Sequence, residues 1–116
     1  MNKKVVRIGG GSAYERDLME PAVVLAEKGN LDYLCFDTLA ERTLGLAQTR
    51  RNADPTKGYN PLTEKRLRAV LPACVKNGVK IIGNFGAANP KAAAAIVMDI
   101  IEELGFSGLK VATVLG

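Results

Sequence analysis

The 116-residue chain contains no histidine and no tryptophan, and only two cysteines, three phenylalanines and three tyrosines. Without an imidazole to activate it, Ser12 cannot serve a Ser-His-Asp triad within this chain. Cys35 and Cys74 form no CxxC pair and find no histidine to complete a zinc set, so both read as buried packing thiols and no metal site is expected. Long apolar runs are missing too. No stretch approaches the ~20 residues that cross a bilayer, and no membrane partner is expected. Lys3 and Lys4 precede an apolar stretch that Arg7 and then the glycines break, too short for the core of a signal peptide. A cytoplasmic location follows by elimination.

Sixteen Lys and Arg against twelve Asp and Glu leave a net charge of +4. The surplus is scattered except for Arg50-Arg51 and Lys65-Arg66 with Arg68. Domains that track phosphates concentrate charge and interleave aromatics, so these groups read as solvated basic faces and nucleic acid is rejected as a partner. Apolar residues make up 47% and charged residues 24%, the composition of an ordinary folded domain. At this length one domain over residues 1–116 is the default.

Val5, Val6 and Ile8 form a β-branched run that stops at Gly9-Gly10-Gly11-Ser12, which reads as a first strand entering a glycine-rich turn. A helix over 21–28 follows, with Pro21 suited to its first turn and Gly29 just past its end. Tyr33-Leu34-Cys35-Phe36 is continuously apolar, the pattern of a strand covered on both faces. Thr38-Leu39-Ala40-Glu41 fits a capping box, and Ala40, Thr43, Leu44 and Ala47 share one face of a second helix. Residues 49–60 read as a polar connector. Asn60-Pro61 opens a third helix, whose stripe of Leu67, Val70, Leu71 and Cys74 contains Pro72, a proline expected to bend it. Asn77-Gly78 ends that helix, Val79, Ile81 and Ile82 form the third strand, and Asn89-Pro90 caps a fourth helix over 91–104. Residues 109–115 read as a fourth strand.

Alternating strands and helices favour right-handed crossovers and a parallel sheet. The expectation is an open α/β sheet of four strands in order 2-1-3-4, with helices on both faces, a three-layer sandwich of the Rossmann or flavodoxin kind. That order puts a switch point between strands one and three, where such sheets bind ligands beyond the carboxyl ends of their strands. The second helix is expected to descend from that rim, so the connector must climb back and deliver Lys57, Tyr59 and Asn60 to it. In the fourth helix Ala93, Ile96, Val97, Ile100 and Leu104 make a sheet-facing stripe, while Met98 and Ile101 extend the apolar surface round a second face. Cover for that second face is expected from a homo-oligomer or from later residues, with the chain read as the N-terminal part of a longer protein.

Helix N-termini gathered at one rim suit a small anion. Gly9 to Tyr14 gives G-x-G but has Tyr14 where a dinucleotide fingerprint wants its last glycine. Three readings stand: glycines needed only for a tight turn, a small-anion loop at Gly10, Gly11 and Ser12, or a dinucleotide site. No cofactor follows from the residues. Asp37 and Glu41 are candidates to move a proton, and Arg42 to clamp a carboxylate; against this, Glu41 could simply cap and Arg42 pair with Asp37 or Glu15. Asn84-Phe85-Gly86-Ala87-Ala88-Asn89-Pro90 is a second turn of low bulk, where Asn84 could orient a substrate.

Four segments together carry a family resemblance: Arg7-Ile8-Gly9-Gly10-Gly11-Ser12-Ala13, then Glu20-Pro21-Ala22, then Leu31 to Thr43, and Asn84 to Pro90. In this order they resemble the start of the acyclic terpene utilisation family, AtuA. The resemblance spans nearly the whole chain. It implies a cytoplasmic catabolic protein of several hundred residues, linked to breakdown of citronellol- and geraniol-type compounds or related branched acids and their coenzyme A thioesters. The rival is a non-catalytic binding or assembly domain, whose glycine turns only shape a subunit contact.

Overall fold

The computed structural model describes residues 4–116, so Lys3 of the N-terminal basic pair lies outside the described residues. Its elements run β1 (Ile8–Ser12), α1 (Glu20–Lys28), β2 (Tyr33–Phe36), α2 (Glu41–Ala53), α3 (Thr63–Asn77), β3 (Lys80–Gly83) and α4 (Pro90–Glu103). The sheet is all parallel and has three strands in the order β1-β2-β3. The expected four strands in order 2-1-3-4 are therefore corrected. Successive crossovers have stepped in one direction, β2 is central, and no switch point separates β1 from β3. Crossover handedness constrains which way a helix turns but leaves the direction of each step open. Residues 109–115 form no strand among the described residues, and Val114 is 92% exposed.

Helices on both faces are not found either. In register, Gly9, Leu34 and Ile81 point to one face and Ile8, Tyr33 and Lys80 to the other. The first face meets the core, where Leu34 and Phe36 pack with Ala22 and Ala26 of α1, Leu67, Val70, Leu71 and Cys74 of α3, and Ile100 and Ile101 of α4. The second face keeps Ile8 and Ile82 exposed. The molecule is thus two layers: three helices, α1, α3 and α4, on one side of a sheet whose other side no described helix covers.

Gly9, Gly10 and Gly11 are not a turn. They lie inside β1, and the space their neighbours occupy favours glycine at two of them, most strongly at Gly11, which faces an aromatic ring, whereas the leucine tip at Gly9 can move aside. A Cβ on Gly11 would stand 2.6 Å from the Phe36 ring, and one on Gly9 would stand 2.4 Å from Leu31. Phe36 needs that room because it also packs against Phe85, with ring centroids 5.3 Å apart. Gly83, whose Cβ would collide with the Phe85 ring, makes the matching allowance on β3.

Helix α2 also departs from expectation. It runs on through 49–53, where a connector was expected, and stops at Asp54, which Pro55 holds extended at φ −147° and ψ 111°. Arg50 and Arg51 in its last turn suit the negative end of the helix dipole. Its only buried residue is Ala47, and Leu44 of the expected stripe is exposed. Lacking an apolar face, it has nothing to hold it against the sheet. Both its ends stay at the rim: it starts just past β2, and Arg51 Nη1 near its close donates to Ala88 O at 2.7 Å. The connector therefore reaches the rim without a climb.

Helix α3 runs through Pro72 and closes on Gly78, whose φ of +66° is left-handed. In α4 the cover expected from elsewhere for Ile101 comes from its own chain, since Ile101 is 7% exposed, whereas Met98 remains 48% exposed. None of these helices is long and apolar enough to cross a membrane.

Candidate functional site

Parallel strands bring their carboxyl ends together, and each of the three here ends on a polar residue. Ser12 closes β1, Asp37 follows β2 and Asn84 follows β3. Because β2 is central, the β1 and β3 turns are not adjacent, as the expected order required, but flank Asp37. Ser12 Oγ donates to the Asp37 carbonyl at 3.2 Å, and Asn84 Nδ2 donates to Asp37 Oδ1 at 3.0 Å. On its other side, Asn84 Oδ1 accepts the Thr38 N–H at 2.8 Å and the Thr38 hydroxyl at 3.1 Å. Asn84 thus joins the ends of β2 and β3 through its Oδ1 and one of its two Nδ2 hydrogens. Thr38, buried and expected as a cap, spends its hydroxyl on Asn84; the back-bond at the start of α2 comes from Thr43, whose hydroxyl accepts the Ala40 N–H at 2.6 Å.

Asp37 itself is exposed, and of its two carboxylate oxygens only Oδ1 accepts hydrogen bonds from described residues, from Asn84 and, at 3.4 Å, from the Leu39 N–H. Glu41 and Arg42 stand exposed in the first turn of α2, and no described residue bonds or pairs with their side chains. The expected alternative pairing of Arg42 with Glu15 is replaced by Arg50, whose Nη1 lies 4.0 Å from Glu15 Oε1. Tyr59 is half-buried at the same rim, between Gly58, whose carbonyl accepts from Ala88 N, and Asn60, whose N–H donates to Phe85 O at 2.7 Å. Asn89 caps α4 by accepting from Ala92 N, and its Nδ2 also grips the connector through the Pro55 and Lys57 carbonyls at 2.9 and 2.8 Å. Gly10 faces the open side of the sheet with nothing near its missing Cβ, and Gly11 faces the core.

One residue was misjudged from its neighbours in sequence. Arg66 belongs to the basic run expected to be solvated, yet it is fully buried. Its Nη2 donates to the Glu15 and Asp17 carbonyls at 3.2 and 3.1 Å, in the loop between β1 and α1. Burial pulls its pKa down from the ordinary arginine value, opposed by the charge of Asp17. A signal was present: Arg66 sits one position before Leu67 and four before Val70, on the buried stripe of α3.

Compared with known families, residues 6–116 match the model of the acyclic terpene utilisation family protein AtuA. The chain belongs to the AtuA family. No curated protein and no solved structure matches it. Three of the segments that carried the resemblance meet at this rim, where Ser12 and Asn84, from the ends of β1 and β3, each bond Asp37 beyond β2.

Proposed function

We propose that this chain serves acyclic terpene utilisation by binding a branched carboxylic acid or its coenzyme A thioester at the carboxyl-end rim, with Asp37 moving a proton. The observation that carries this reading is the convergence of Ser12, Asp37 and Asn84 in a member of the AtuA family. A carboxylate fixed through one oxygen, with the other open to a ligand, is oriented for proton transfer at that second oxygen. Asn84 positions Asp37 through one Nδ2 hydrogen while its Oδ1 serves Thr38, and among the described residues its second Nδ2 hydrogen is left to orient a substrate. Arg42, exposed and unpaired among the described residues, supplies the charge that would clamp a substrate carboxylate, with Glu41 and Tyr59 lining the approach. Ser12 contributes the polar end of β1, and Gly10 and Gly11 keep that strand slim beside it.

The test is calorimetric titration with 3-methylbutanoate and with its coenzyme A thioester, joined to NMR detection of deuterium uptake at the carbon beside the thioester carbonyl. Wild-type protein is expected to bind at least one of them and to exchange that proton. Asp37→Asn should keep binding and abolish exchange, and Arg42→Ala should weaken carboxylate binding by roughly tenfold or more, the worth of a charge-assisted pair. Binding and exchange both absent in the wild type would overturn the reading.

A further inference from the structure

The buried Arg66 leaves hydrogen-bonding capacity unused. A guanidinium carries five N–H donors in a fixed fork and never gives up its charge in a protein. In Arg66 only Nη2 is engaged, by two neutral carbonyls, while Nε and Nη1 are buried with no partner. Asp17, the acid whose charge acts on it, spends its oxygens on the Ala13 and Leu18 N–H groups. An apolar side chain of similar volume would fill the place without stripping water from a charge. So unbalanced a residue calls for a partner the chain does not itself supply.

Its position says where that partner would sit. Side chains on a helix lean toward its N-terminus, which carries Arg66 over the turn of Leu62, whose carbonyl accepts the Arg66 N–H at 2.9 Å. The fork then meets Glu15 O at 3.2 Å. Leu62 and Glu15 both line one cavity of about 320 Å³, together with Arg16, Arg50 and Pro61; Arg66 does not line it but stands behind it, bonded to the Glu15 carbonyl. Two arginines and a single carboxylate line the cavity, with a third arginine buried behind Glu15. Glu15 reaches Arg50 only at 4.0 Å, the outer limit of an ion pair, and no described residue pairs with Arg16. The volume falls at the lower end of the roughly 300–1,000 Å³ of small-molecule sites.

We infer that this cavity, enclosed by the β1–α1 loop, the end of α2 and the start of α3, binds the oxyanion of a small molecule, a carboxylate or a phosphate. Arg16 and Arg50 hold it from the walls, and the unbalanced buried charge of Arg66, behind the Glu15 carbonyl, favours an anion there. Glu15 occupies the oxyanion's place in the empty cavity and gives way to it. The site does not depend on Asp37, and a ligand engaged there by its acid group has a different anchor from the Arg42 clamp.

Titration calorimetry of the full chain at constant ionic strength, with inorganic phosphate in one arm and 3-methylbutanoate in the other, tests this. Saturable binding in either arm is expected, and the arm that responds identifies the oxyanion. Arg50→Gln should weaken it at least tenfold, and Glu15→Gln should strengthen it severalfold by removing the internal competitor. The Arg66 Nε–H resonance should shift on saturation, a readout that needs no substitution at a buried position. Arg42→Ala, which removes the rim clamp, should leave phosphate affinity unchanged, so this inference and the rim proposal fail separately. No saturable binding in either arm, affinity indifferent to both Arg50→Gln and Glu15→Gln, or an unmoved Arg66 resonance would overturn it.

Discussion

Leu34 and Cys35 are neighbours in β2, yet Leu34 is wholly enclosed by α1 and α3 while Cys35 points to the side of the sheet that no described helix covers. The same division runs through β1 and β3. Gly11 faces the core and must be glycine because the Phe36 ring fills its side-chain space, whereas Gly10 faces outward with open space around it. Ile81 joins the core, and Ile82 is 54% exposed. Identical or similar residues thus carry different obligations on the two faces. Parallel sheets usually have both faces covered, so the open one is the more unusual and the more informative to perturb.

The largest expected effect comes from removing the covered face's central side chain. Leu34→Ala should cost roughly 3–5 kcal/mol in denaturant unfolding, the range for a buried leucine that leaves a cavity. Ile82→Ala should cost less than about 1 kcal/mol, because much of that side chain is already in water. An Ile82 penalty equal to that of Leu34 would break the comparison and show that the open face is covered in solution. Next in size, Gly11→Ala should cost about 1–3 kcal/mol by overpacking against Phe36. Gly10→Ala should stay within about 0.5 kcal/mol of wild type.

The two thiols sharpen the contrast further. Burial pushes the Cys74 thiol up to about 11 from 9.0, so its neutral form is favoured in the fold. A group whose pKa is raised on folding contributes stability that is fully present below its unfolded value and lost as pH climbs toward the folded one. Unfolding free energy should therefore decline from pH 9.0 toward about 11, and Cys74→Ala should flatten that decline while Cys35→Ala retains it. In native protein a thiol reagent should modify Cys35 well before Cys74. The smallest effect lies on the helical surface, where Arg68 of α3 bridges Glu64 and Glu103 of α4. Arg68→Ala should lower Tm slightly in dilute buffer and not at ionic strength near 1 M, where the screening length is about 3 Å.

Local signals made the helices and the parallel alternation readable. Gly29 and Gly78 marked two helix ends, Asn89 marked the start of α4, and the apolar run of β2 marked a strand. The strand order was not readable, because it depends on which edge each crossover steps toward. The glycines of β1 looked like a turn because the reason for them lies elsewhere in the sequence, in Phe36 and Leu31. Residues 49–53 looked like a connector because Arg50 and Arg51 are polar, though a helix end accommodates them well. At the rim, Ser12, Asp37 and Asn84 were each picked out from sequence, but that Asn84 bonds Asp37 and Thr38 emerges only when β3 lies beside β2. Arg66 reads as solvated beside Lys65 and Arg68, while helical spacing puts it on the buried stripe.

Helix α2 resembles a beam resting on two supports. With Ala47 as its one buried residue, its hydrogen bonds have little tertiary packing to protect them, and such segments open at a small fraction of the global unfolding free energy. Amide exchange along 44–50 should accordingly outpace that of α1, α3 and α4. This weakness makes α2 a built-in reporter. A molecule lodged against Arg50 near one support, or against Asp37 near the other, would damp the opening, and exchange slowed from one end of the helix would tell which of the two places had been filled.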